Sequence, residues 1–282
     1  MLNYEIKNNK IIIEPSDEFN ITHILECGQV FRFKKFENFY RVFVLDKFAD
    51  IYSNEKNQNI IETSDTHFFV NYFDLKTNYA IIKQKLERNN ILHQAIKCAY
   101  GIRILKQDNI EATFDFIISA NNNIKRIQQI IEALCQNLGK KCSGYYAFPN
   151  VESLANASVD FYKKIGAGYR ADYLHKTANL LKNGFDMEVV HTMSAEQATK
   201  YLQILNGIGP KVADCILLYG YHKMNVFPVD TWIKKVYSCY YNNKIKSPAL
   251  IRKNLINNFG EISGYAQQYL FYFKRELDKK GD

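Results

Sequence analysis

Residues 205–215 constrain the fold of this chain more than any other segment. They read Leu-Asn-Gly-Ile-Gly-Pro-Lys-Val-Ala-Asp-Cys and lie between a helical pattern that ends near residue 204 and another that begins at Pro210. Two glycines one residue apart permit a tight turn with positive φ. Proline suits the first position of a helix, because that position needs no N–H donor. The segment therefore predicts a helix-hairpin-helix.

Such a hairpin is suited to binding an anion. The N–H groups of the turn and of the following helix N-terminus carry partial positive charge and have no intrahelical acceptor. Here Gly207, Gly209 and Val212 supply these groups, so we expect them to bind one DNA phosphate. The net charge of +8 agrees with a polyanionic partner, of which nucleic acid is the first candidate.

Lys211 is the candidate nucleophile of this segment. It lies in the first turn of the second helix, where the positive end of the helix dipole disfavours an ammonium group and predicts a lowered lysine pKa. A neutral amine is what nucleophilic attack and Schiff-base formation require. The alternative is a solvated surface lysine. The helix position, and Cys215 one turn later on the same face, favour a reactive group.

Asp230 is the second candidate catalytic residue. It follows Val226-Phe227-Pro228-Val229 and precedes another helical pattern, so its carboxylate is expected to cap that helix. A capping carboxylate can also face a reaction centre and stabilise positive charge that develops at a sugar carbon. We expect Asp230 to do both.

The rest of the chain predicts an α+β protein. β-branched and aromatic residues alternate over residues 11–13, 30–33 and 39–44, and these strands are too closely spaced for helices to join them, so the sheet is antiparallel. From about residue 65 the pattern is helical, most clearly in the stripe that Asn123 precedes as a candidate cap: Ile124, Ile127, Ile131 and Leu134. The fold class is an N-terminal antiparallel β-sheet domain followed by a two-part all-α body containing the helix-hairpin-helix.

Three domains are predicted within this architecture. The antiparallel β domain covers residues 1–85. A helical domain covers residues 86–200 and is completed by a C-terminal helix at residues 261–282. The helix-hairpin-helix and catalytic helical domain covers residues 201–260.

Several other classes of protein are not supported. The cysteines at positions 27, 98, 135, 142, 215 and 239 form no Cys-x-x-Cys pairs, so their spacing fits neither a zinc site nor a four-cysteine iron–sulfur cluster. The N-terminus lacks the apolar stretch of a signal peptide. The longest apolar run is far shorter than the about 20 residues of a membrane span. We therefore expect free thiols in an intracellular protein without a metal site.

Taken together, the motifs resemble the helix-hairpin-helix DNA glycosylases that carry a Gly/Pro-rich loop and an aspartate. Within them the chain is similar to the 8-oxoguanine DNA glycosylase/AP lyases. The resemblance extends from about residue 27 to residue 273. Its landmarks are residues 28–32 (Gly-Gln-Val-Phe-Arg), 119–124 (Ser-Ala-Asn-Asn-Asn-Ile), 166–170 (Gly-Ala-Gly-Tyr-Arg), 205–215 and 228–230, with Gln267 and Phe271.

The resemblance implies a role for each residue on the lesion side. Lys211 would attack C1′ of the damaged nucleotide and form the Schiff base that permits β-elimination, while Asp230 would stabilise the oxocarbenium-like sugar. The flipped base would lie between Cys215 and Phe271, which by themselves would be read as core residues. Two further residues would read the base: Gln267 at its Watson–Crick edge, and Gly28, whose carbonyl accepts from the N7–H that guanine lacks.

The opposite strand would be read by a second group. By resemblance, Asn121 fills the vacated position beside the orphaned cytosine, Arg126 and Arg170 hydrogen-bond that cytosine, and Tyr169 wedges the duplex. Without the resemblance, the asparagine run would be read as a helix cap and either arginine as solvated surface. The partner implied is double-stranded DNA that contains 8-oxoguanine, preferably opposite cytosine, bound by a monomer without a cofactor. The expected location is the bacterial cytoplasm at the nucleoid, or the nucleus in a eukaryote.

Two positions depart from the family pattern. Trp232 stands where animal members carry a histidine near a phosphate, and Tyr219 stands where a smaller or more flexible residue often lines the pocket floor. Two alternatives remain beside the glycosylase/lyase. The first is a monofunctional alkyl-base glycosylase, which needs the aspartate without a lysine. The second is a non-catalytic helix-hairpin-helix module that only grips DNA phosphates.

Overall fold

Six antiparallel strands form one sheet in the N-terminal part of the chain, in the order β1-β2-β6-β5-β4-β3. The structure is a computed structural model that describes residues 1–281; residue 282, the end of the predicted C-terminal helix, lies outside the described residues. The strands are β1 Tyr4–Lys7, β2 Lys10–Ile13, β3 Phe33–Lys35, β4 Tyr40–Val44, β5 Lys47–Ser53 and β6 Asn59–Glu62.

Helices make up most of the remaining described chain, which confirms the α+β fold class. They are α1 Ile21–Leu25, α2 Thr66–Tyr72, α3 Tyr79–Leu86, α4 Asn90–Cys98, α5 Asn109–Ser119, α6 Ile124–Leu138, α7 Val151–Asn156, α8 Val159–Lys164, α9 Arg170–Lys182, α10 Ala195–Leu202, α11 Pro210–Gly220, α12 Thr231–Tyr240, α13 Pro248–Phe259 and α14 Ser263–Gly281, with short 3-10 helices at Glu188–His191 and Gly260–Ile262.

The predicted strand at residues 30–33 is wrong except at its end, since β3 begins at Phe33. The preceding residues bind the helical body instead of the sheet. The Arg32 guanidinium donates to the carboxylate of Glu111 at 2.8 Å, and the carbonyl of Gln29 accepts from the side chain of Gln107 at 2.7 Å. Apolar alternation predicted a strand here, but these two long-range contacts fix an extended connection.

Apolar side chains gather in two cores. The smaller lies on the sheet and includes Ile11, Ile51 and Ile61 together with α2. The larger runs through the helical body, and both of the predicted helical parts contribute to it, for example through Leu174 and Ile216. The boundaries of the three predicted domains stay a prediction.

Helix α6 has the predicted cap, and the predicted apolar stripe is buried at all but one position. The Asn123 side chain accepts from the N–H of Arg126, which confirms it as the cap. Ile127, Ile131 and Leu134 are buried, whereas Ile124 is 41% exposed. Ile124 starts the helix and projects beyond the core, into a cavity of about 360 Å³ that Gly28 also lines.

Packing of α10, α11, α12 and α14 brings distant parts of the sequence together. Helix α11 packs on α5 and α10, and α14 packs on α4 and α12. The C-terminal helix therefore lies against α12 and, through Gln268 and Arg275, against the connection at residues 26–32. No helix within residues 1–281 is both long enough and apolar enough to span a membrane.

Candidate active site

The two glycines of the hairpin have different conformations. Gly207 has φ +82°, and a Cβ built there would lie 2.8 Å from the ring of Tyr173. Gly209 has φ −87° and precedes α11, with open space where a Cβ would lie. Pro210 starts α11 as predicted. The absent side chain at Gly209 therefore leaves the N-terminus of this helix accessible to an anion.

Val212 has one role in the core and another in the first helical turn. Its side chain is buried. Its N–H belongs to the first turn of α11, where N–H groups have no carbonyl of the same helix to donate to. These observations agree with the predicted phosphate site, whose ligand stays a prediction.

Lys211 lies beside an aromatic ring in the same turn. Its Nζ is 5.9 Å from the centroid of Phe116, which α5 carries. Lys211 hydrogen-bonds to Cys215 and interacts with the charge of Asp230, which places all three side chains in one group. The structure therefore brings the two predicted catalytic residues and the predicted pocket cysteine together.

The pKa of Lys211 is raised above its ordinary value, so the predicted lowering is wrong. Burial acts to lower this pKa, but the side chains of Cys215 and Asp230 stabilise the ammonium form and outweigh it. The helix dipole is a local effect, and a tertiary carboxylate can reverse it.

Asp230 caps α12, as predicted. Its carboxylate accepts from the N–H of Ile233 at 2.8 Å. Burial raises the pKa of Asp230, while the bond from Ile233 and the charge of Lys211 act to lower it. The carboxylate is thus held in position by the backbone and partly removed from water beside a cationic group.

Cys215 supplies an apolar surface in this group. It is buried, and burial raises the pKa of its thiol to about 11, although the charge of Lys211 opposes the shift. The thiol is therefore neutral at ordinary pH and acts as a polarizable apolar wall.

Gly28 and Phe271 form another contact that the sequence analysis expected in the base pocket. Gly28 has φ +85°, and a Cβ built there would lie 3.3 Å from Cε1 of Phe271. Any larger residue at position 28 would combine a left-handed backbone conformation with a crowded ring contact. The backbone of Gly28 thus packs closely on an aromatic ring of α14.

Gln267 lies on the same helix as Phe271 and has an unused acceptor. The residue is 4% exposed, and within the described chain its buried Oε1 has no hydrogen-bond partner. Buried amide oxygens usually accept a hydrogen bond. An unpartnered one beside a proposed base pocket is what a base-reading side chain would have before its ligand binds.

Three of the four predicted opposite-strand residues are exposed. Asn121 has φ +51°, and Tyr169 is 58% exposed, with its hydroxyl donating to the carbonyl of Ala120. Arg126 is exposed at the start of α6 and donates to the carbonyl of Gly166 at 3.2 Å. These groups lie at the start of α6 and on the loops before α6 and α9, and together they form an exposed surface that can contact DNA.

Arg170, which the resemblance assigns to the orphaned cytosine, is buried, unlike the other three residues of this group. It is 4% exposed. Its guanidinium donates to the carbonyls of Ala120, Asn121 and Ala167. In the free protein Arg170 therefore fixes the backbone that carries Asn121, and its donors to a base are already engaged.

Trp232, one of the two family departures, contacts a cation. Lys235 Nζ lies 4.6 Å from the centroid of its ring. Within the part of the chain that the structure describes, no three His, Cys, Asp or Glu side chains are grouped so that they could hold a metal ion.

Family models match most of the chain. Residues 11–113 match the 8-oxoguanine DNA glycosylase N-terminal domain. Residues 114–260 match the HhH-GPD superfamily base excision DNA repair protein. The chain belongs to the HhH-GPD superfamily.

Individual relatives agree with this HhH-GPD assignment. An 8-oxoguanine glycosylase/lyase of Clostridium acetobutylicum, solved with double-stranded DNA containing cytosine opposite 8-oxoG, is 34% identical and has a TM-score of 0.92 over 99% of this chain and 98% of that one. A structure of MBOgg1 with a low-affinity DNA ligand is 35% identical, with a TM-score of 0.92 over 99% of each chain. A probable N-glycosylase/DNA lyase of Methanothermobacter thermautotrophicus is 30% identical over 227 residues, 72% of each chain.

Sequence reasoning missed several residues around this HhH-GPD site. Phe116 lies beside the lysine, Tyr173 fills the space above Gly207, and Arg275 donates to the carbonyl of Glu26. Each acts through a contact between elements far apart in the sequence, so helical periodicity alone does not reveal its role. The one available local signal was Tyr173, four residues after Tyr169 on the same helix.

Proposed function

We propose that this chain is a bifunctional base-excision-repair enzyme. It flips and excises 8-oxoguanine from duplex DNA and nicks the abasic site by β-elimination through a Schiff base on Lys211. One observation carries the proposal most directly. Lys211 and Asp230 form a half-buried pair of opposite charge beside an open helix N-terminus.

The chemistry follows from this pair. Nζ of Lys211 forms a bond to C1′ while the bond from C1′ to the base breaks, and the departing base takes up the proton that the amine releases. Asp230 faces the developing positive charge on the sugar, where a fixed carboxylate lowers the barrier. The sugar ring then opens to an imine. Loss of a proton from C2′ expels the 3′ phosphate and completes β-elimination.

Selection of the lesion rests on the base pocket. 8-Oxoguanine carries a hydrogen on N7, where guanine has a lone pair. A carbonyl at that position accepts from the lesion and repels the normal base, and Gly28 supplies this carbonyl. Gln267 supports the assignment because its buried oxygen is free to accept from the Watson–Crick edge. Extrusion of the base into this pocket costs a few kcal/mol, which backbone and stacking contacts offset.

The preferred opposite base is cytosine. Arg126 at the start of α6 and Tyr169 just before α9 are both exposed and can reach the opposite strand. The Clostridium acetobutylicum relative was solved with cytosine opposite 8-oxoG, which supports the same preference here. The enzyme acts as a monomer on genomic DNA, in a nucleoid or a nucleus.

A cleavage assay tests the proposal against its alternatives. We expect incision of a duplex with 8-oxoguanine opposite cytosine and none of the matched guanine duplex, with full activity in EDTA. Excision of 3-methyladenine without strand cleavage would favour a monofunctional alkyl-base glycosylase. Binding without excision of either base would favour a non-catalytic DNA-binding module. Activity that EDTA abolishes and magnesium restores would contradict a cofactor-free lysine mechanism.

A further inference from the structure

A buried hydrogen-bond chain connects α11 to the residue before Gly28. The hydroxyl of Tyr219 donates to Oε1 of Gln268 at 2.5 Å. Nε2 of Gln268 donates in turn to the carbonyl of Cys27 at 3.3 Å. All three residues are buried. A buried polar chain with every group partnered fixes the relative position of the elements it joins.

The backbone around Gly28 is held on both sides by side chains. The carbonyl of Glu26 accepts from Arg275, that of Cys27 from Gln268, and that of Gln29 from Gln107. Among the described residues no donor is recorded for the carbonyl of Gly28 itself. The donors on the flanking carbonyls thus set the direction of the one peptide oxygen that is left available.

Tyr219 also contacts the group around the nucleophile. Its ring stacks on Phe116, with centroids 5.2 Å apart and an interplanar angle of 16°. Lys211 Nζ lies 5.9 Å from the centroid of that same phenylalanine. One tyrosine therefore connects the ring beside the nucleophile to the peptide beside the proposed lesion reader.

We propose that Tyr219 and Gln268 are positioning residues for lesion discrimination. They hold the Gly28 carbonyl at a fixed position relative to Lys211. A base whose N7–H donates to that carbonyl then has its C1′ placed for attack by the lysine. This inference rests on the proposed function. A hydrogen bond weakens steeply with distance and angle, and a functional constellation must be held to within about 0.5 Å. A small displacement of Gly28 would thus reduce the preference for 8-oxoguanine over guanine.

The test measures binding discrimination in a background that cannot cleave DNA. With Lys211→Gln in every protein, the Kd is measured for 8-oxoguanine:cytosine and guanine:cytosine duplexes, and their ratio is compared. Tyr219→Phe keeps the stacked ring and removes only the hydroxyl, while Gln268→Leu removes both hydrogen bonds. We expect each to lower the preference for 8-oxoguanine about fivefold to tenfold, the range set by one lost hydrogen bond.

Tyr221→Phe is the matched control. Tyr221 is also buried, and its hydroxyl donates to the carbonyl of Met187 at 2.8 Å, outside the chain that reaches Cys27. We expect this variant to keep the wild-type preference. Because Tyr219 and Gln268 act in series, the double variant should lose little more than either single one.

The outcomes separate this inference from the function on which it rests. An unaltered preference in both Tyr219→Phe and Gln268→Leu would overturn it, as would equal weakening of both affinities, which indicates only a structural role. If the parent protein does not prefer 8-oxoguanine, the proposed function itself fails. Should Gln268→Leu not fold, Tyr219→Phe decides the question, because it preserves the packing of the ring.

Discussion

The lesion side and the opposite-strand side of the molecule differ in how their polar groups are used. On the lesion side, buried groups have hydrogen-bonding capacity left, as at Oε1 of Gln267 and Nη1 of Arg275 among the described residues. On the opposite-strand side, Arg170 and Tyr169 already donate to backbone carbonyls of their own loops. The proposed lesion pocket therefore offers unused polar groups, whereas the polar groups of the proposed opposite-strand surface already bind their own loops.

This difference has a consequence for specificity. A base that enters the proposed lesion pocket meets polar groups without partners. A correct base can therefore form hydrogen bonds there without breaking any that the protein already makes. A cytosine that reaches Arg170 must replace existing bonds to Ala120 and Asn121, and the net gain is smaller. We therefore expect the enzyme to discriminate the lesion more strictly than the base opposite it.

Asp230→Asn, on the proposed lesion side, should cause the largest change in excision rate. Asparagine can still cap α12, so the protein should stay folded, but the neutral amide no longer stabilises the charge at the sugar. We expect the excision rate to fall about 10²–10³-fold, with some Schiff-base trapping retained because the lysine survives. Single-turnover excision measures this.

Asp108→Asn is the matched control for that variant. Asp108 also caps a helix, since its carboxylate accepts from the N–H of Glu111 at 2.8 Å. It is not one of the side chains that interact with Lys211, which are Cys215 and Asp230. Its excision rate should stay near that of the wild type. A similar loss in both variants would mean that capping, and not charge at the sugar, explains the effect of Asp230→Asn.

Gly207→Ala tests the rigidity of the phosphate hairpin. A methyl group there would meet the ring of Tyr173 at 2.8 Å on a left-handed backbone, which costs about 1–2 kcal/mol from the backbone alone. At Gly209 a methyl group would lie in open space on a backbone with an ordinary φ, so Gly209→Ala should not lower the free energy of unfolding. The same methyl group would partly cover the helix N-terminus that is expected to bind a phosphate, so the affinity for DNA should fall. Equal thermal stability of both variants would contradict the Tyr173 contact.

Substitutions of the two arginines on the proposed opposite-strand side should differ in their effect on stability. Arg126→Ala should leave stability unchanged and reduce discrimination for cytosine by about 1–3 kcal/mol. Arg170→Ala should also reduce the free energy of unfolding, by about 1–3 kcal/mol, because it removes the guanidinium hydrogen bonds that join the backbone at Ala120, Asn121 and Ala167. Excision rates with all four opposite bases, together with denaturation curves, measure both. Equal losses with every opposite base would mean that the arginines contact only phosphate.

The smallest effect concerns pH. Burial raises the pKa of Asp230 in the folded protein, so the folded state binds this proton more tightly than the unfolded state does. The contribution of Asp230 to stability is thus present at low pH and is lost as the pH rises through the raised pKa. Asp230→Asn should remove this change from a plot of unfolding free energy against pH. Parallel plots for variant and wild type would contradict the raised pKa.

The features that the sequence predicts well are those that local rules decide. Asn123 and Asp230 are caps, and Pro210 begins its helix, because each depends only on the next few residues. The features it misses depend on distant contacts. The pKa of Lys211 is raised by Cys215 and also by Asp230, which lies nineteen residues away, Arg170 is buried by the loop at Ala120, and Tyr173 lies over Gly207. Periodicity does not contain this information, and only the spacing of Tyr169 and Tyr173 gives a local signal for any of it.

Borohydride trapping on an 8-oxoguanine:cytosine duplex tests the central claim most directly. The wild type should give a covalent protein–DNA adduct whose cross-linked peptide contains Lys211. Lys211→Gln should bind the same duplex with little change in affinity, since most of the affinity comes from phosphate contacts, and should give no adduct. A borohydride-stable adduct in Lys211→Gln would mean that another amine is the nucleophile, and it would contradict the assignment of this active site.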